Sequence, residues 1–419
     1  MRVFEKSGDA GARVKFYLQK CLVGFSYGLS FPLTLVTLDY WLKDVGVSNS
    51  VIGLFTLLHW PFSLKFLWGI FVEHYDVPHL SKIFSRNRSW LVISHLFLMA
   101  GVLGMANSSP ESGLTALIFW ASLVALADGC RDVALYPYQI SKISAERLGY
   151  VAGVVGLGHR IGAISIKVIT LQTAHFFSWK AAYLTAAAMI FLLLIPVLFM
   201  EDPVTGGGDD SGKDGAFIWS SMRGALRSSL VIPLKTMLRE VDGGRRLAVI
   251  ILYKGADFMM QKMSRSFCLA VGFSKLEIAN VVQLFGSVSV IIGGILGGYF
   301  VRRLGLIRSM MALGLIHMFS FLSYLLLLSR GNDLAILHVV ILLEGLSGGG
   351  VTAVFLAFLY DICKTGGQYA LLWAFHEFGG MLFMAASGIM ADHLGWGAYF
   401  CLTPLIFLPN LPLLRRLGR

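Results

Sequence analysis

Apolar runs long enough to cross a lipid bilayer recur through the whole 419-residue chain, each closed by Gly, Pro or charged residues. This feature leaves few folds open. Backbone amides in hydrocarbon have no water to bond, so a spanning segment must be a helix or part of a closed barrel. Barrel strands alternate in polarity residue by residue, and these runs do not. Composition agrees, with 56% hydrophobic and 14% charged residues, against roughly a quarter charged in a soluble domain. The pattern predicts an all-α membrane protein with helices near 15–40, 51–75, 89–107, 113–139, 149–173 and 179–200, then 246–270, 277–301, 307–329, 334–360, 366–391 and 396–414. The "GGILGG" segment, 293–298, reads as a helix-packing face.

Between the sixth and seventh helices the composition changes. "EDPVTGGGDDSGKDG", 201–215, has the Gly, Pro and acidic content of a flexible linker, and a basic amphipathic stretch follows it. The chain therefore divides into an N-terminal six-helix bundle, 1–200, a cytosolic linker, 201–245, and a C-terminal six-helix bundle, 246–419. Placing both termini in the cytosol puts nearly all loop Lys and Arg inside and leaves only Lys43, Lys180, Lys275 and Arg330 outside. The net charge of +11 is thus topological, which argues against nucleic acid as a partner. The first run is of span length and lacks a small-residue cleavage site, so it is expected to remain as the first helix. Five scattered cysteines show neither C-x-x-C nor Cys/His metal spacing; they read as small apolar packers, and neither metal nor cofactor is implied.

Charges inside the predicted spans point to function. Lys65 lies about ten residues from the cytosolic end of the second helix, about 15 Å at the helical rise, farther than a lysine snorkels. A charge at that depth costs about 2.5 kcal/mol or more unless it faces a partner or a wet cavity. Lys254, Asp257, Gln261 and Arg265 follow at spacings of three, four and four, so they share one helix face, with Lys262 beside them. The fourth helix presents Asp128, Arg131 and Asp132, the fifth His159, Arg160 and Lys167, the tenth Glu344, and the eleventh His376 and Glu377. Such residues are expected to line a water-filled path. Blander readings stand beside this one: the Lys254 and Asp257 pair can simply neutralise itself, Glu344 can bond nearby backbone, and His376 can be a satisfied helix residue. Trp60, Trp68, Trp90, Trp179 and Trp396 read as interfacial anchors, whereas Trp373 falls inside a helix.

Two loops carry a family likeness. "GIFVEHY", 69–75, and "GGYFVRRLGLIR", 297–308, occupy matching places after the second helix of each half. The latter resembles the loop signature of the major facilitator superfamily, although Arg302 stands where that family has an acid. Longer stretches resemble the muropeptide permeases, the AmpG-like branch of that superfamily: "GFSYGLSFPLTLVTLDYWLKDVGVSNSVIGLF", "FSLKFLW", "RDVALYPYQI", "LYKGADFMM", "LLEGLSGGGVTAVFLA" and "DHLGWGAYF". Acetyl-CoA transporters are similar at "WPFSLKFLW".

The resemblance implies a monomeric, non-enzymatic symporter that imports anionic anhydromuropeptides across a bacterial inner membrane on the proton gradient. Lys65, Asp132, Arg160, Tyr253, Lys254, Asp257 and Gln368 match family positions. It departs from the family at Tyr136, where a second acid is usual, at Gln139, where a Lys is usual, and at His376 and Glu377, where small or apolar residues are usual. The expected substrate-binding residues are Lys65, Arg160, Tyr253, Lys254, Gln368 and Trp373; the expected proton-coupling carboxylates are Asp132, Asp257, Glu344 and Glu377. Alternatives are a transporter of acetyl-CoA or another anionic metabolite, and an uncoupled facilitator. A membrane-embedded enzyme would need catalytic motifs such as H-E-x-x-H or a phosphate-cradling glycine loop, which the sequence lacks.

Overall fold

The computed structural model describes residues 10–140, 148–198, 232–239, 242–363 and 366–417, and all regular structure among them is helical. The expected flexible linker at 201–215, and Lys364, lie outside the described residues. Twelve rods follow one another: α1 (10–44), α2 (49–74), α3 (Arg86–Ala106), α4 (Thr115–Ile140), α5 (Leu148–Phe176), α6 (Trp179–Leu198), α7 (243–271), α8 (275–304), α9 (306–330), α10 (Leu334–Ile362), α11 (366–394) and α12 (396–417). A short bridge helix, Ile232–Arg239, precedes α7. Among the described residues, seven stretches are long and apolar enough to cross a membrane, in α1, α3, α5, α8, α9, α10 and the continuous α11 and α12. Of the rest, α2 and α7 are fractured, and α4 carries three charges within one turn and a half.

The fractures have local causes. Pro32 has no N–H to give the preceding turn, and α1 answers with a π-type segment, Leu33–Thr37, before resuming at Leu38. In α2 a tight 3₁₀ turn, Thr56–His59, leads into Trp60 and Pro61, and Leu64 leaves helical geometry at φ −100°, ψ 27°. The straight helix expected over 51–75 is therefore broken, and Lys65 opens its last piece, Lys65–His74. Similarly, α7 is interrupted at Tyr253 and Lys254, and Lys254 forms the N-cap of Gly255–Val271. Gly395, at φ 71°, divides α11 from α12.

Contacts group the rods into two units. One holds the chain up to Leu38 and again from His59 through α6; the other holds Asp39–Leu58 together with the bridge helix and α7 to α12. Within the first unit, α1 and α5 meet backbone to backbone. A Cβ added at Gly24, Gly28, Gly158 or Gly162 would come within 2.0 to 2.3 Å of a carbonyl oxygen of the facing helix. Two small-x-x-x-small pairs thus mesh, the arrangement that lets helices gain dispersion contact where lipid offers no hydrophobic drive. Tyr183 of α6 donates to the Leu33 carbonyl at 3.1 Å, where the π-type segment begins.

Within the second unit, α8 packs on α10 in the same way. A Cβ at Gly293 would lie 2.1 Å from the Leu346 oxygen and one at Gly297 2.7 Å from that of Gly350. The expected "GGILGG" packing face is therefore its i, i+4 pair, while Gly298 faces open space. The segment Asn49–Phe55 lies against α11, with Gly388 too close to the Asn49 carbonyl for any side chain. Asp392 fastens it, accepting from Asn49 Nδ2 at 2.7 Å and Ser50 Oγ at 2.6 Å.

Candidate functional site

In the first unit, the break in α2 delivers Lys65 to α4, where its Nζ lies 2.5 Å from Asp132 Oδ2. The pair is open on one side: the lysine side chain is 39% exposed and the aspartate 14%. Phe62 supplies a ring face 5.0 Å from the ammonium, so the cation is held by a carboxylate and an aromatic quadrupole together. Arg160 is exposed on α5, and Tyr136 is exposed one turn beyond Asp132 on α4.

Asp128 and Arg131 belong to a different structure. Arg131 is 1% exposed and bonds Asp128 at 2.6 Å, the carbonyl of Ser26 at 3.0 Å and Ser30 Oγ at 2.6 Å. Ser30 in turn donates to Asp128 Oδ1 at 2.6 Å. This closed network ties α4 to α1, so the expected placement of Asp128 and Arg131 on a wet path is replaced by a buried brace.

In the second unit, Asp257 lies in the first turn after the break in α7, where the helix dipole favours a carboxylate. Lys254 Nζ meets its Oδ2 at 3.0 Å and also donates to Thr352 Oγ1 at 3.1 Å. Gln261 donates to Oδ2 at 3.0 Å. The other oxygen, Oδ1, stands 3.1 Å from His317 Nε2 of α9. His317 Nδ1 is 2.8 Å from Ser347 Oγ of α10. Three helices thus converge on one carboxylate.

Tyr253, expected among the substrate contacts, lies inside the second unit. It is 2% exposed, stacks on Phe355 with centroids 5.8 Å apart, and gives its hydroxyl to the Met310 carbonyl at 2.9 Å. A phenol already bonded inside an apolar cluster packs helices together. His376 is likewise buried, with Nδ1 3.1 Å from the Ile250 oxygen and its ring against Phe258 and Phe355. Glu344 bonds a side chain and not the nearby backbone, accepting from the Tyr324 hydroxyl. Gln368, Trp373 and Glu377 are half-buried on α11. Trp373 continues a run of stacked rings, Tyr360 on Tyr369 at 5.4 Å and Tyr369 on Trp373 at 6.0 Å.

One cluster escaped the sequence reading. Asp39, fully buried, takes Lys262 Nζ on Oδ1 at 2.6 Å and Arg265 Nη1 on Oδ2 at 2.9 Å. Two cations close together on α7 were the available signal, because buried positive charge requires a carboxylate somewhere. His317 and Ser347 were missed as well; each stands alone in an apolar run, and only the fold brings them to Asp257.

A family model described as Major Facilitator Superfamily matches residues 21–363. Among curated relatives, "Putative transporter AmpG 3" of Rickettsia prowazekii (strain Madrid E) is 26% identical, over 94% of this chain and 93% of its own length. "Anhydromuropeptide permease" of Escherichia coli (strain K12) is 25% identical, over 94% of this chain and 78% of its own length. Among solved structures, a peptide transporter POT in complex with sulfate aligns with a TM-score of 0.70 at 13% identity, covering 97% of this chain and 95% of that one. A mutant of the nucleoside transporter NupG aligns with a TM-score of 0.67 at 12% identity, covering 96% of this chain and 100% of that one. At those identities the likeness to both solved structures is one of fold.

Proposed function

The chain belongs to the Major Facilitator Superfamily, so it is a transporter and not an enzyme, and from that premise we propose that it imports anhydromuropeptides across a bacterial inner membrane with protons. The relative of that name in Escherichia coli supports the substrate class, and the half-open Lys65 and Asp132 pair carries the mechanism. While Asp132 is ionised it holds Lys65. Once it takes a proton, the lysine is released to a carboxylate of the incoming peptide, an exchange of one anion for another on the same cation. Arg160, exposed on α5, draws the anion in, and Lys254 offers a second cation whose present partner is Asp257. Trp373, at the end of its ring stack, and Gln368 suit a sugar face and its hydroxyls. Asp132 and Asp257 are the first candidates for the coupling carboxylate, with Glu344 and Glu377 behind them.

Alternating access of two six-helix halves, 1–200 and 246–419 joined by 201–245, completes the proposal, with both termini in the cytosol and the monomer as the working unit. Purified protein in liposomes tests it. Labelled anhydromuropeptide should accumulate when an inward pH gradient is imposed and should stop accumulating when the gradient is collapsed. Uptake of acetyl-CoA in its place would move the chain to a different substrate class. Uptake indifferent to the gradient would make it a facilitator.

A further inference from the structure

We infer that His317 holds the coupling proton in the second unit, with Asp257 as its charge partner and the Ser347 hydroxyl as the switch between its two protonation states. This rests on the proton-coupled reading above. Ser347 has one hydroxyl proton, and it faces His317 Nδ1 at 2.8 Å, the Leu343 carbonyl at 2.6 Å, Ser320 Oγ at 3.1 Å and the Glu344 carbonyl at 3.2 Å. Ser320 gives its own proton to the His317 carbonyl at 2.7 Å, so towards Ser347 its oxygen only accepts.

If Ser347 donates to Nδ1, the imidazole is neutral, and its single N–H, on Nε2, points at Asp257 Oδ1, 3.1 Å away. Should Ser347 turn its proton to Leu343 instead, its oxygen can accept only from an N–H on Nδ1. Nε2 still faces a carboxylate oxygen, and two lone pairs cannot face each other, so that contact must contain a proton too. The second network therefore holds one proton more than the first, and the heavy atoms need not move. Few buried groups can take up a full charge so cheaply, because most must find a new partner when they ionise.

The surroundings suit a site that loads and unloads. Asp257, His317 and Ser347 are 4%, 4% and 5% exposed, yet Gln261, which bonds the second oxygen of Asp257, is exposed on its helix and links the cluster to the surface of the unit. The charged and titratable groups facing His317 are Lys254 and Asp257 from α7, with Arg265 further along the same helix, and Glu344 from α10. The Tyr324 hydroxyl, also on α9, donates to Glu344. Among the described residues of α8 and α12, charge is confined to the ends, at Lys275 and Glu277 in the first turn of α8 and at Arg302, Arg303, Arg415 and Arg416 in the last turns. Lys254 supplies the link to substrate. An anion that draws this ammonium off Asp257 leaves the carboxylate short of one positive partner, and a proton on His317 replaces it. Charge is conserved: one proton enters the cluster as the substrate carboxylate takes the lysine, and one leaves when the lysine returns.

The test uses full-length protein in liposomes with a trapped pH dye, comparing wild type, His317→Gln, Ser347→Ala and Asp257→Asn. The glutamine variant keeps a donor and an acceptor but cannot take a proton. It should still exchange labelled anhydromuropeptide at a reduced rate, with no substrate-evoked proton entry. Ser347→Ala removes the acceptor that the protonated imidazole needs, so substrate-evoked proton entry should fall by about tenfold while exchange persists. Proton entry undiminished in His317→Gln while Asp257→Asn loses it would overturn the assignment and return the proton to the carboxylate. Wild type that moves substrate without protons would bring down the coupled reading itself, and this inference with it. If His317→Gln loses exchange as well, Ser347→Ala decides, and undiminished proton entry in that variant overturns the proposal.

Discussion

Replacing Asp132 by Asn takes away the charge that Lys65 meets at 2.5 Å and keeps the shape of the side chain. Gradient-driven accumulation should be lost, while exchange of external for internal substrate persists at a lower rate; accumulation that survives would remove Asp132 from the coupling path. Tyr253→Phe makes the opposite kind of prediction. Its hydroxyl is bonded to a backbone carbonyl in the core, so the change should cost about 1–2 kcal/mol of stability and leave KM for substrate alone. A raised KM with unchanged stability would restore Tyr253 to the substrate site. Lys262→Met leaves the buried Asp39 carboxylate with Arg265 as its remaining cation, which should destabilise the fold by about 3–5 kcal/mol, readable as a lower Tm in detergent. What a sequence discloses at this scale depends on where the partner sits. Lys254 and Asp257 announce themselves because three residues along a helix make neighbours. Asp39, His317 and Ser347 do not, because Lys262 and Arg265, Asp257, and His317, the partners that give each its place, lie on another rod, and no periodicity along one segment encodes them.

At the scale of elements, the helices were legible because an apolar run of spanning length admits one solution in lipid, and the observed rods fall within a few residues of the expected ones at most boundaries. The fractures were harder to see. Pro32 and Pro61 mark two of them, but the break at Tyr253 and Lys254 has no proline, and the tight turn at Thr56–His59 starts before Pro61 is reached. Glycines separate in the same way into those that pack and those that do not. Gly158→Ala would push a methyl to 2.0 Å from the Cys21 carbonyl and should cut the yield of folded protein severely. Gly153→Ala, five residues earlier on the same helix and facing open space, should be neutral or slightly stabilising, since alanine is the better helix former. Equal yields for the two would mean that α1 and α5 are not in backbone contact.

For the molecule as a whole, the asymmetry of loop charges predicts its orientation. A cysteine placed at Arg419 in a cysteine-free background should react with an impermeant thiol reagent only from the cytosolic side of membrane vesicles; labelling from the other side would reverse the topology. The fractures in α2 and α7 also bear on how the fold breathes. Lys65 and Lys254 each stand at the point where a helix restarts, and at such a point some amides lack a partner one turn away. Amide exchange is therefore expected to be fastest at hydrocarbon depth around 56–64 and 252–255, beside the charges, once water reaches them. In this chain the soft places of the backbone and the places where ions are handled would coincide, so a ligand that quiets the one would be visible as protection at the other.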